Sequence, residues 1–102
     1  MTWFVYIIRC SDDTLYTGIT NDLRRRFEQH ASGRGAKYFY GRQPQRFVYL
    51  ETGHDRSSAT QRELSLKKLN RQQKTRLIES DCNRIDDVLA TTAGRQSTES
   101  PA

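Results

Sequence analysis

Cysteine is scarce in this chain. Cys10 and Cys82 stand far apart with no C-x-x-C or Cys/His ligand spacing around either, which argues against a structural zinc site and points to no disulfide framework. Long apolar runs are missing too. The longest, Trp3 to Ile8, is far too short to span a bilayer and does not lead into a small-residue cleavage site, so a cytoplasmic protein without membrane association is expected. Apolar residues make up only 34% of the chain against 28% charged, so the core must be compact, as in a thin mixed α/β layer. There is no internal repeat, and 102 residues suit one domain with one modest core. Positive charge is what the chain has in excess. Seventeen Lys and Arg against twelve Asp and Glu leave a net +5, which favours a polyanionic partner such as nucleic acid, although many proteins with no such partner are as basic.

Trp3 to Ile8 (WFVYII) is almost continuously β-branched or aromatic, and Ser11-Asp12-Asp13 behind it supplies turn chemistry, so a buried strand ending in a hairpin is expected. Thr14 to Thr20 (TLYTGIT) reads as its partner strand. Thr20, Asn21 and Asp22 are cap and first-turn residues, and Leu23, Phe27 and Ala31 follow at helical spacing, so a helix should run to the glycines at 33 and 35. Ser32 to Gly41 looks like a basic, aromatic-bearing loop. Phe47 to Leu50 reads as a third strand after Pro44, broken by the turn residues of 53–58. Ser58 with Gln61, and Asn70 with Gln73, have capping-box spacing for helices reaching Leu69 and Ile78. Ile85, Val88 and Leu89 have room for one short helical turn, and the polar stretch 91–102 is expected to be disordered.

Several residues could carry chemistry, and each has an ordinary alternative. Tyr6 and Tyr16 lie on strands that a tight turn brings side by side, so their phenols could converge, or they could be core aromatics. At about 100° per residue, Arg26 and His30 fall together beside the Leu23/Phe27/Ala31 stripe. A lone histidine there could equally be half-buried with one backbone contact. Glu63 falls between Ala59 and Leu66 at the border of an apolar face, where an i,i+4 ion pair with Lys67 would also explain it. Lys37, Tyr38, Phe39 and Tyr40 mix charge with rings, which suits phosphate contact and base stacking, or simple cover for the sheet.

The order and spacing of these residues say more than any one of them. Phe4-Val5-Tyr6, then Tyr16-Thr17-Gly18, then Thr20-Asn21-Asp22-Leu23 leading to Arg26 and His30, and finally Glu63 on a later helix, resemble the GIY-YIG nuclease pattern. The resemblance runs from Trp3 to about Ile78, takes in Gly35-Ala36-Lys37 and Lys67 to Leu77, and is to the small stand-alone bacterial, YhbQ-like branch. Phe4 replaces the first Gly of the name and Thr17 the middle Ile, neither at a position expected to do chemistry.

The resemblance implies an α/β (α+β) fold with a three-stranded antiparallel sheet flanked by helices. With it the nuclease-like domain is expected at 1–80, and the composition beyond leaves a C-terminal extension at 81–90 and the tail at 91–102. The resemblance also implies hydrolysis of phosphodiester bonds in nucleic acid, DNA ahead of RNA, with Tyr6, Tyr16, Arg26, His30 and Glu63 as the catalytic set. Glu63 would hold Mg²⁺ or Mn²⁺, and Arg26 would face the charge developing on the phosphate. Tyr6 would act as the general base, its phenolate supported by Arg26, the metal or a bond from Tyr16, with His30 shuttling the proton or binding phosphate. Gly18 would let substrate approach the strand, and Lys37 and Lys67 would touch phosphate. Relatives in restriction, homing and repair carry added DNA-binding domains for which this chain has no room. A nucleic-acid-binding module with little or no turnover is therefore the alternative.

Overall fold

The computed structural model describes residues 2–34, 37–39, 41–86 and 88, with Tyr38 described by its backbone alone. Three strands form one antiparallel sheet in the order β2-β1-β3, where β1 is Trp3–Cys10, β2 is Leu15–Thr20 and β3 is Pro44–His54. As the central strand, β1 is covered on both sides. Val5, Tyr6, Ile7 and Ile8 are all fully buried, which is why its sequence is a continuous apolar run with no polar alternation. Val5 and Ile7 face a cluster with Val48, Tyr49, Ala59 and Leu66, while Tyr6, Ile8 and Cys10 face the other way, against Leu50 and Phe39.

Helix α1 (Leu23–Ala31) lays Leu23 and Phe27 on the Tyr6 face. Helices α2 (Arg56–Lys67) and α3 (Arg71–Ile78) supply Ala59, Leu66, Leu77 and Ile78 to the Val5 face. Asp22 caps α1 by accepting from the Arg25 amide, and Asn70 with Gln73 forms the expected capping box on α3. The expected Ser58–Gln61 box does not form. Helix α2 starts earlier, with Asp55 as N-cap and Ser58 as the reciprocal third residue, because a carboxylate is available just ahead to accept the Ser58 amide at 2.8 Å. Strand β3 is also longer than Phe47 to Leu50. Pro44 sits at its first residue, where a missing N–H costs nothing, and shifts in register carry the polar flanks along β1.

Polar groups fasten α2 to β3. Glu51 accepts from the Tyr49 hydroxyl, from Arg62 Nε at 2.8 Å and from His54 Nε2 at 2.9 Å, and His54 Nδ1 lies 2.9 Å from Ser58 Oγ. Burial pushes the Glu51 carboxyl pKa up, but the Tyr49, Arg62 and His54 bonds together outweigh it and hold the group below its ordinary value.

The outer edge of β3 is closed by the chain itself. Asn83 donates through Nδ2 to Val48 O (2.9 Å) and Ile78 O (2.8 Å) and accepts at Oδ1 from the Leu50 amide (3.1 Å) and the Ile85 amide (3.0 Å), filling its whole hydrogen-bonding capacity. Arg84 N adds a bond to Leu50 O at 2.8 Å. Beyond it Ile85, Asp86 and Val88 are helical, with Val88 N bonded to Arg84 O at 3.0 Å. Leu89 and the expected disordered stretch 91–102 lie outside the described residues. Asn83→Ala leaves these strand groups without their partner, so it should lower the free energy of unfolding by about 2 kcal/mol. Urea denaturation checks this, and a loss within 0.5 kcal/mol, the range of an ordinary surface change, would show that Asn83 holds nothing.

Candidate active site

Tyr6 and Gly18 are direct cross-strand partners. The Tyr6 ring lies over the glycine, and a Cβ built there would come within 2.5 Å of the hydroxyl and 2.6 Å of Cζ. Glycine is required here because the phenol occupies the space a side chain would fill. The room above Gly18 is thus taken by the Tyr6 phenol.

From this position the Tyr6 hydroxyl meets His30 Nε2 at 2.9 Å. His30 comes from the last turn of α1 and is only 1% exposed. Tyr16, two residues before Gly18 in β2, lies with its ring centroid 6.2 Å from that of Tyr6 and 5.2 Å from that of His30. Phe39, at the end of a single 3₁₀ turn (Lys37–Phe39), covers both, 4.2 Å from His30 and 4.9 Å from Tyr16. Lys37 opens the same turn and is exposed. Tyr40 lies outside the described residues.

Arg26 sits one turn before His30 on α1, half-buried. Its guanidinium lies near enough for its charge to act on the Tyr6 hydroxyl and gives Nη1 to Gln29 Oε1 at 3.1 Å. Glu63 arrives from the other face of the sheet. It lies between Ala59 and Leu66 on α2, which packs against β2 and β1, and its negative charge acts on Tyr6. Its carboxylate is largely sheltered, at 17% exposure, and pairs with Lys67 Nζ at 3.5 Å. Tyr6, Tyr16 and His30 make direct contacts, Arg26 and Glu63 act on Tyr6 by charge, and Lys67 is attached through Glu63.

Burial is the main cause that raises the Tyr6 pKa well above a free phenol, and the Tyr16 phenol and Glu63 carboxylate add to it. The Arg26 guanidinium opposes them without prevailing. Burial, followed by the Arg26 charge, lowers His30 from 6.5 to about 4. At neutral pH the phenol is protonated and the imidazole neutral. Nε2 can then accept the Tyr6 proton when the other ring proton is on Nδ1.

Among the described residues there is no group of three or more His, Cys, Asp or Glu suited to a metal ion. A single carboxylate such as Glu63, completed by waters and phosphate oxygens, does fit a hard divalent ion. No described helix is long and apolar enough to cross a membrane. The contacts that sequence reasoning missed are Phe39 on His30 and Gln29 on Arg26. The second could have been found, since positions 26 and 29 are one helical turn apart.

Comparison with known proteins gives a consistent result. The family model described as the GIY-YIG catalytic domain matches residues 2–76. UPF0213 protein plu4503 of Photorhabdus laumondii is 40% identical over 98 residues, 96% of this chain and 94% of the relative. UPF0213 protein YhbQ of Escherichia coli is 46% identical over 76 residues, covering 74% of this chain and 76% of the relative. The solution NMR structure of UPF0213 protein BH0048 from Bacillus halodurans superimposes with a TM-score of 0.53 at 37% identity, over 88% of this chain and 96% of that one.

Two expected outcomes follow from this geometry. Gly18→Ala should displace the Tyr6 phenol and break its bond to His30. Loss of through-bond or nuclear Overhauser signals between the two rings in a folded variant checks this, and unchanged ring contacts would show that the phenol does not need the glycine. His30 should titrate near 4 by NMR, against 6.5 in the unfolded chain. As pH falls the unfolded chain takes the proton first, so stability that is complete above about 6.5 is lost progressively toward about 4. Urea unfolding across that window should show the slope for the native protein, and a shallower one for His30→Gln.

Proposed function

Because the chain belongs to the GIY-YIG catalytic-domain family, we propose that it is a divalent-metal-dependent endonuclease hydrolysing phosphodiester bonds in nucleic acid, DNA ahead of RNA. The observation that carries this reading is the Tyr6–His30 hydrogen bond at 2.9 Å, with the Arg26 guanidinium and the Glu63 charge acting on the same phenol.

Hydrolysis needs a base for the attacking water, a cation for the phosphate and relief of charge on the departing oxygen. The raised Tyr6 pKa disfavours a standing phenolate, so Tyr6 takes the water proton as its own passes to neutral His30 Nε2. The relay keeps Tyr6 neutral and leaves His30 as an imidazolium, a cation formed only as negative charge develops on the phosphate. Arg26 presents a planar, permanently charged fork to the non-bridging oxygens. Glu63 would hold Mg²⁺ or Mn²⁺, which when bound supplies charge neutralisation at the leaving oxygen. Lys67, 3.5 Å from the Glu63 carboxylate, and exposed Lys37 would contact phosphate. Tyr6 and His30 are buried with Phe39 across the site, so substrate reaches the hydroxyl when that ring shifts. Full burial of Tyr6 is also what favours the competing reading, a nucleic-acid-binding module with little turnover.

Glu63→Gln separates the two. It removes the charge while keeping size and helix propensity, so divalent-dependent cleavage of a panel of single-stranded, duplex, flapped and branched DNA and RNA should fall about a hundred-fold or more, with folding and binding retained. An ion pair with Lys67 alone could not account for such a loss. Cleavage at the wild-type rate by folded Glu63→Gln protein would exclude Glu63 as the metal-holding residue. Binding without cleavage in the native protein would favour the binding module.

A further inference from the structure

A guanidinium on a flexible stem meets a phosphate productively only if it is held. Five other arginines are held by carboxylates: Arg9 and Arg71 by Asp13, Arg25 by Asp22, Arg42 by Asp12 and Arg62 by Glu51. Arg26 forms no ion pair among the described residues. It gives Nη1 to the side-chain amide oxygen of Gln29 at 3.1 Å, with its charge acting on the Tyr6 hydroxyl.

We propose that Gln29 is a positioning residue that holds the Arg26 guanidinium against Tyr6 with its charge left whole for the phosphate, an inference that rests on the nuclease reading above. The chemistry of the acceptor is the argument. A carboxylate at position 29 would bind the guanidinium more strongly, but it would also cancel its charge and repel the polyanion. An amide oxygen accepts the same N–H, fixes the same rotamer and adds no charge. Gln29 is half-buried and one turn from Arg26 on the same helix, so the bond is formed within α1 and does not wait for substrate. The orientation is therefore established before binding, which lowers the ordering cost at the moment of reaction.

Two variants separate orientation from charge. Gln29→Met keeps length and helix propensity but removes the acceptor, so kcat should fall about tenfold with KM little changed, as expected for a misplaced but still charged group. Gln29→Glu keeps an acceptor and adds a negative charge, so KM should rise and binding should weaken. Circular dichroism establishes that each is folded, and either alone tests the proposal if the other is not. The readout that a merely structural role would not move is the order of the Arg26 side chain, followed by ¹⁵N relaxation of its Nε–H. This group should be rigid in the native protein and mobile in Gln29→Met, and the His30 pKa should rise in that variant as the guanidinium charge moves away. Unchanged kcat in Gln29→Met, or a fall in kcat with Arg26 still rigid, would overturn the proposal. If the native protein cleaves nothing, the nuclease reading falls, while the relaxation measurement still decides whether Gln29 holds Arg26.

Discussion

The passage of the Tyr6 ring across Gly18 is the contact on which the site depends. It is a cross-strand pair in which one member has no side chain, so the other can lie over the backbone of β2. The hydroxyl is thereby carried toward the edge strand, where α1 on one face delivers His30 and Arg26, and α2 on the other delivers the charge of Glu63. A slip of one residue in this register would turn Tyr6 and Gly18 to opposite faces and separate the two sets of groups. The same pairing thus fixes the hairpin and assembles the chemistry.

Burial then sets the protonation states. Tyr6 and His30 are ionisable in opposite directions, and withdrawing both from water favours the neutral form of each. A neutral phenol bonded to a neutral imidazole keeps the resting site free of a buried ion, and a charge appears on His30 only when the proton is passed on. Arg26, half-buried and bonded to an amide, remains the cationic side chain whose charge acts on the pair.

What the sequence disclosed, and what it hid, divides by range of interaction. The run Trp3 to Ile8, the Asp22 cap and the Asn70/Gln73 box depend on neighbours in the chain, and they fold as their spacing indicates. The start of α2 was misplaced because two serviceable caps compete there, and the nearer carboxylate wins. The ends of β3 were hidden because Pro44, Glu51 and His54 join the strand through β1 and Arg62, contacts with no trace in local periodicity. For the site, helical arithmetic placed Arg26 beside His30 and Glu63 between Ala59 and Leu66. It could not show that Tyr6 would fill the space over Gly18, or that Phe39 would close over His30. Those are facts of packing between segments far apart in the chain.

The Asn83 clasp has a consequence for what the sheet can join. A three-stranded sheet has two outer strands, and unpaired amides and carbonyls along an outer strand are a template for another chain. Asn83 and Arg84 occupy the Leu50 amide, the Leu50 carbonyl and the Val48 carbonyl, so the β3 side offers an incoming strand little to zip onto. A chain cut back before Asn83 would keep all five chemical residues and yet open this border. Protection of the β3 border from an incoming strand thus depends on a segment remote from the chemistry.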